Sequence, residues 1–351
     1  MSKIDKINSF NPSGVGLSNG NFIGLPFDES EAEVVLMPVP WDVTVSFKAG
    51  TATGAQNILD CSGQLDLLDD DVKDAWKMGL YMRPLNQEWL AKSNKLRKKA
   101  TKYIDFLENG GNIEDNPSQQ KIRDEVNAEC ENLKNWVKAE TGKLLDSGKL
   151  VGLVGGDHST PLGYIEALAE RYESFGILHI DAHQDLRDSY EGFTYSHASI
   201  FNNVLKIKNI ERIVQVGIRD YCEEESEAVY QSGGRVQVFY DSYLKKQVYK
   251  GNSLYSLFRN ALEMLPKYVY VSFDIDGLDP KLCPNTGTPV PSGLEFQEAM
   301  FLLKCLVDSD RQIIGFDLNE VAGVGNEWDG NVGARVLYKL ANLMGKSMGR
   351  V

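Results

Sequence analysis

From Lys149 onward, short apolar runs alternate with helix-like stretches, and this alternation narrows the fold more than any other feature. The runs are Val151–Val154, Phe175–Ile180, Ile213–Ile218, Val236–Tyr240, Tyr268–Phe273 and Ile313–Leu318. They are short and apolar, which suits strands covered on both faces. Helix-like segments lie between them at Leu162–Tyr172, Cys222–Gln231, Leu254–Leu265 and Gly293–Val307. Such alternation predicts an α/β domain whose mostly parallel sheet lies between helical layers. Val34–Val39 and Met78–Met82 read as two earlier strands, with a helix at Ala52–Cys61, so eight strands are expected.

The strand ends carry the chemistry, because ligands of open α/β sheets gather at carboxyl ends. The run Phe175-Gly-Ile-Leu-His-Ile180 leads into Asp181, His183 and Asp185. Their spacing of two puts all three on one side of an extended backbone. Oxygen and nitrogen donors so arranged suit a divalent cation, although a polar loop with a helix cap would read the same way. Two further runs end alike. Leu153-Val-Gly-Gly-Asp leads to His158, and Tyr268-Val-Tyr-Val-Ser-Phe273 leads to Asp274 and Asp276. Four carboxylates buried near one another require neutralising cations. With two of them bridging, these six side chains serve two ions, an arrangement suited to making hydroxide near neutral pH.

Three motifs carry a resemblance. Gly155-Gly-Asp-His-Ser159, Asp181-Ala-His-Gln-Asp185 and Ser272-Phe-Asp-Ile-Asp-Gly-Leu-Asp-Pro280 occur in order and resemble the signatures of the ureohydrolase family, which includes arginase, agmatinase and guanidine hydrolase. The likeness runs from about Val34 to the C-terminus and is weakest between Arg83 and Lys149. It implies a three-layer α/β/α, arginase-like fold. It also implies that His158, Asp181, Asp185 and Asp274 hold one ion, that Asp181, His183, Asp274 and Asp276 hold the other, and that Asp185 hydrogen-bonds the shared hydroxide. The family metal is usually Mn2+, with Ni2+ in guanidine-hydrolysing relatives. His197 matches a histidine that helps move a proton to the leaving amine. Glu320, in Gly315-Phe-Asp-Leu-Asn-Glu-Val321, matches the glutamate that grips the guanidinium. Asp317 reads as structural, and His179 as a core residue or a support behind the ligands. A proline that commonly follows the Glu-Val pair is missing, since the chain continues Ala322-Gly-Val-Gly325, which leaves the shape of that loop open.

Composition excludes several other classes. A net charge of −13 argues against nucleic acid or an anionic membrane as partner and is compatible with a cationic substrate. The five scattered cysteines form no CxxC, so neither a disulfide framework nor a zinc knuckle is indicated. No signal peptide, membrane-length run or nucleotide-binding glycine motif is visible, so a cytoplasmic location is expected. Residues 1–33 form an extension that either packs on the domain or a neighbouring subunit, or frays. Residues 34–351 read as one catalytic domain. Within it, about 84–149 is a helical excursion with candidates at Asn86–Leu107 and Gln119–Ser147. Family members are usually trimers or hexamers, which implies a homo-oligomer.

The expected substrate is a small guanidino compound cleaved to urea. Trp41, Phe47, Asn319 and Trp328 are candidates to line the pocket, although aromatics such as Trp41 and Phe47 more often simply pack. Arg187 follows the Asp185 loop, where arginases carry small polar residues. It would either bind a substrate carboxylate or turn outward to pair with Glu191 or Asp188. Left unpaired, it would repel the distal amine of agmatine. Agmatine ranks first, free guanidine second, and arginine or formimidoyl substrates after them. A zinc deacetylase on the same fold is the rival, but it would lack part of the second metal set. A catalytically silent metal-binding protein would have lost a ligand or Glu320, and none is lost.

Overall fold

The computed structural model describes residues 1–351. Eight strands form a single sheet: β1 (Val34–Pro38), β2 (Leu80–Met82), β3 (Leu150–Val154), β4 (Phe175–Ile180), β5 (Ile210–Val216), β6 (Val236–Phe239), β7 (Tyr268–Asp274) and β8 (Gln312–Asn319). Their order is β2-β1-β3-β8-β7-β4-β5-β6. Every neighbouring pair is parallel, so the sheet is wholly rather than mostly parallel.

Side chains alternate between two cores, as the pleat requires. Val34, Leu36, Leu178, Ile180, Val269 and Val271 enter one core of 55 buried residues. The helices Gly54–Ser62, Leu254–Leu262, Phe296–Asp308 and Glu327–Ser347 cover it. Val35, Met37, Ile177, Ile213 and Tyr270 enter a second core of 32, covered by Gln87–Glu108, Pro117–Asp146, Leu162–Ala169 and Ile200–Leu205. These are the three layers. The two helices of the excursion are therefore part of one outer layer, capped by Asn86 and Asn116 and joined by Lys92–Glu129 (2.8 Å) and Lys99–Glu125 (2.6 Å).

The 21-residue helix Glu327–Ser347 escapes a periodicity reading because it is buried on most sides and interrupted by glycines. A Cβ on Gly330 would come within 2.8 Å of Asn57, so the glycine permits close approach to the helix Gly54–Ser62. At the β2 edge of the sheet, Asn21 accepts the Met82 N–H (3.0 Å) and donates to the Leu80 carbonyl (3.1 Å). A side chain of the first 33 residues thus satisfies the open edge of β2, and the Phe10 ring lies 5.1 Å from Trp76. No helix is long and apolar enough to cross a membrane.

Candidate active site

The strand order sets β3, β8, β7, β4 and β5 side by side, so their carboxyl ends form one continuous rim. His158 follows β3, Glu320 follows β8, Asp274 ends β7 and Asp181 follows β4. His158 Nδ1 lies 3.0 Å from Asp181 Oδ2, 3.3 Å from Asp185 Oδ2 and 3.2 Å from Asp274 Oδ2. His183 Nδ1 lies 3.4 Å from Asp181 Oδ1 and 3.1 Å from Asp276 Oδ2. The six side chains therefore gather into two groups, and Asp181 gives one oxygen to each. Neighbouring ligands on one ion at about 2.1 Å stand ~3 Å apart, so the donor set and its spacing fit two divalent cations.

The electrostatics of the bare residues show the same need. Burial and then Asp181 push the Asp185 carboxyl up to about 7. Burial, Asp276 and Asp181 raise Asp274 well above the carboxylate range. Burial opposes protonation of His158 and His183, yet the surrounding carboxylates raise both. Acids packed this closely resist ionising together unless cations sit among them.

Behind the donors runs a row of polar residues in register across four strands, Gln215, His179, Ser272 and Asp317. Gln215 Nε2 lies 2.9 Å from His179 Nδ1, and His179 Nε2 lies 2.8 Å from Asp181 Oδ2. His158 Nε2 lies 2.9 Å from Ser272 Oγ, which donates to Asp317 Oδ1 at 3.0 Å. This chain leaves His158 Nδ1 facing the carboxylates and fixes the orientation of its ring. Single letters gave no reason to select Gln215 or Ser272; only the register of neighbouring strands reveals them.

A cleft of about 390 Å³ opens over the donors, lined by Arg187, Tyr190, His197, Asp220, Thr288 and Glu320 among others. Glu320 is buried and left-handed (φ 61°), and one of its oxygens has no partner. Burial, Asp274 and Asp157 raise its carboxyl well above the usual range. The loop after it, which lacks the proline, is tied to the helix Gly54–Ser62. A Cβ on Gly54 would meet the Val321 carbonyl at 2.3 Å, and Asn57 donates to the Ala322 carbonyl at 2.8 Å. His197 opens a short 3-10 turn capped by Ser196. Burial, with the charges of His183 and His158, pulls its imidazole down to about 3.

Three expectations about the pocket need correction. Arg187 pairs with neither Asp188 nor Glu191; its Nε lies 3.9 Å from Glu225 Oε2, and its guanidinium stacks on Tyr190 at 4.9 Å. Glu225 is buried there because it also accepts the Leu186 and Cys222 N–H groups, at 3.1 and 2.9 Å. Trp328 is 55% exposed, donates to the Lys281 carbonyl (3.0 Å) and does not line the cleft. Asn319 is fully buried, accepts from Thr160 at 2.9 Å and does not line the cleft; Trp41 packs on Trp89 at 5.8 Å, the commoner role for such an aromatic. The wall Asp220-Tyr221-Cys222 went unread, although it follows β5 directly. Its signal was Gly217-Ile-Arg-Asp220, whose Arg219 donates to the carbonyls of Asp276 (2.6 Å) and Leu278 (3.1 Å) and ties this wall to the β7 loop.

Comparison with known proteins agrees with this geometry. The Arginase family model matches residues 32–341. The N(1)-aminopropylagmatine ureohydrolase of Thermus thermophilus is 30% identical over 319 residues, 91% of this chain and 92% of that protein. The agmatinase of Neisseria meningitidis is 30% identical over 336 residues, covering 93% and 94%. The solved proclavaminate amidino hydrolase of Streptomyces clavuligerus superposes with a TM-score of 0.71 at 22% identity, over 95% of this chain and 100% of that one, and supports the fold. The chain belongs to the arginase family as an agmatinase-like ureohydrolase, a hydrolase of C–N bonds in linear amidines.

Proposed function

We propose that the substrate is a guanidino compound with a cationic tail, agmatine being the best fit, and that the products are urea and the freed amine. One observation carries the choice: the Arg187 charge is answered inside the protein by Glu225 and Tyr190. Asp220, 69% exposed in its side chain and 4.0 Å from His183 Nε2, adds a further anion at the mouth. A tail amine is then not repelled, whereas a tail carboxylate meets a guanidinium already engaged. The names of two relatives, an agmatinase and an aminopropylagmatine ureohydrolase, support the same choice.

In this reading His158, Asp181, Asp185 and Asp274 hold one divalent ion, and Asp181, His183, Asp274 and Asp276 the other. Mn2+ suits the mixed donors best and Ni2+ is the alternative. When bound, the ions supply a water acidified into the neutral range and neutralise the buried acids. The free oxygen of Glu320 takes the planar guanidinium by a charge-assisted hydrogen bond. Asp185 orients the nucleophile by hydrogen bonding. His197, in the cleft lining beside the donors, is the side chain that would relay a proton to the departing amine.

The test is urea release from agmatine, aminopropylagmatine, arginine, guanidine and guanidinobutyrate, after separate loading with manganese and nickel. The cationic-tailed compounds should turn over fastest. Preference for free guanidine or for the carboxylated compounds would sink this reading.

A further inference from the structure

The helices Gln87–Glu108 and Pro117–Asp146 supply no residue of the cleft lining, yet they hold both of its lips. One lip is the segment after β1 that carries Ser46. There Ser93 donates to Asp42 Oδ1 (3.2 Å) and accepts the Asp42 N–H (3.3 Å). Arg97 donates to the Val43 carbonyl at 3.2 Å and also to the Val45 carbonyl.

The other lip carries Arg187, Tyr190 and His197. Its tip is a tight turn in which Tyr190 and Phe193 exchange backbone hydrogen bonds of 3.1 and 2.8 Å. Glu191 (φ 54°) and Gly192 (φ 78°) are both left-handed there. The helices grip this turn from outside. Tyr103 donates its hydroxyl to the Glu191 carbonyl at 2.9 Å. Asn127 donates to the Gly192 carbonyl at 3.0 Å and accepts the Thr194 N–H at 2.9 Å. The fully buried Phe193 ring packs 5.2 Å from Tyr103. Tyr190, thus fixed, stacks on Arg187 and faces His197 at 6.0 Å.

We propose that this helix pair is the positioning frame of the substrate cleft. Arg97 sets one lip, and Tyr103 with Asn127 sets the other, so the spacing around the substrate's tail is fixed from outside the catalytic centre. The inference rests on the tailed-substrate reading above. Small displacements of positioning groups carry large kinetic costs, so residues that touch no substrate here still govern how it sits.

The test uses the full, metal-loaded chain and two variants, Tyr103→Phe, which keeps the ring, and Asn127→Ala. Hydrogen exchange across residues 189–195 reads the turn whether or not substrate turns over. KM and kcat are measured with agmatine and with free guanidine. Exchange should quicken, and KM for agmatine should rise about fivefold, the worth of one average hydrogen bond. KM for guanidine, which has no tail, and metal content should stay unchanged. Unchanged exchange overturns the proposal, as does an unchanged KM beside a lowered melting temperature, because the residues then only stabilise the fold. If the wild type releases urea from none of the compounds, the substrate reading fails, and the exchange result alone supports or overturns the frame.

Discussion

Glu320 accepts the backbone N–H of His158 at 3.0 Å through Oε1, while its Oε2 has no partner. The bond spans the tips of β8 and β3, so the carboxylate that faces the cleft is held at a fixed distance from the donor cluster. Glu320 reaches that position only in a left-handed conformation, which costs a non-glycine residue about 1–3 kcal/mol. Its N–H to Gly156 (2.8 Å) and its carbonyl, which accepts from Thr286 (2.7 Å), hold it there. Asp185 is left-handed as well, at φ 54°. Strain at these two acids is what a site built for a cation would tolerate.

Glu320→Gln keeps an oxygen for the His158 N–H and removes the charge. We expect kcat/KM for guanidino substrates to fall at least about a hundredfold, the loss of a charge-assisted bond of ~3 kcal/mol. Melting temperature should hold or rise, because a buried carboxyl that resists ionising becomes neutral. A urea assay and a thermal melt on one preparation check both halves; an unimpaired kcat/KM would remove Glu320 from the site.

The Arg187–Glu225 pair makes a prediction about selectivity. Glu225→Gln keeps an acceptor for only one of the Leu186 and Cys222 N–H groups and leaves the Arg187 charge without its anion. KM for agmatine should rise about tenfold, and guanidinobutyrate should become a better substrate by a similar factor, an effect of ~1.4 kcal/mol. Arg187→Gln should not raise KM for agmatine. A Glu225→Gln enzyme with unaltered preference would show that the pair does not govern the tail.

Much of this site was legible because strand order gathers the tips, whereas extended period-two spacing does not place the later donors: Asp185 is left-handed and Asp276 lies in the 3-10 turn Ile275–Gly277. The tips of β3, β4 and β7 announced their donors by residue type, and parallel topology forced the tips together. Arg187 was found but its partner was not, because Glu225 lies 38 positions downstream in a helix that only the fold brings near. The same reason hid Ser272 and Gln215, whose meaning lies in cross-strand register. Trp328 is not a pocket residue, because it stands in the first turn of the last helix with its side chain exposed.

Glu191 gives a pH dependence outside the metal donors. Burial, with Glu108, pushes its carboxyl up to about 7, against Arg97. A folded value above the unfolded one means the folded state binds the proton more tightly. The stability so gained is present below about pH 4.5 and is lost as pH rises through about 7. Glu191→Gln should therefore be more stable than wild type at pH 8.5, by up to about 1 kcal/mol after allowing for partial solvent exposure, and equal to it near pH 4. Denaturant titrations at the two pH values decide; a variant less stable at pH 8.5 would reverse the sign.

Metal content offers a direct count. The two groups of donors predict about two ions per chain by elemental analysis of the manganese-loaded protein. Asp276→Ala removes a donor next to His183 and should leave a soluble protein with a lowered metal count and activity down by about 10³ or more. Full activity in that variant would refute the paired-ion arrangement.

Ser272→Ala isolates the support behind the ligands. The hydroxyl links His158 Nε2 to Asp317 Oδ1, and all three residues are buried. Removing it leaves a ring N–H and a carboxylate oxygen short of a partner, where water has little access. Each such group costs about 1–3 kcal/mol, so the metal-free variant should lose ~2–4 kcal/mol of stability. Asn319 still donates to Asp317 and moderates the loss on that side. On the His158 side the nearest remaining acceptor, Asp317 Oδ1, is 3.8 Å away and beyond hydrogen-bond reach, so ring orientation should suffer most and metal should bind more weakly, by about 10–100-fold. Chemical denaturation without metal separates the first effect, and metal titration the second. A stability loss under about 0.5 kcal/mol, within the range of an ordinary surface change, would mean that the hydroxyl does not bridge the two groups.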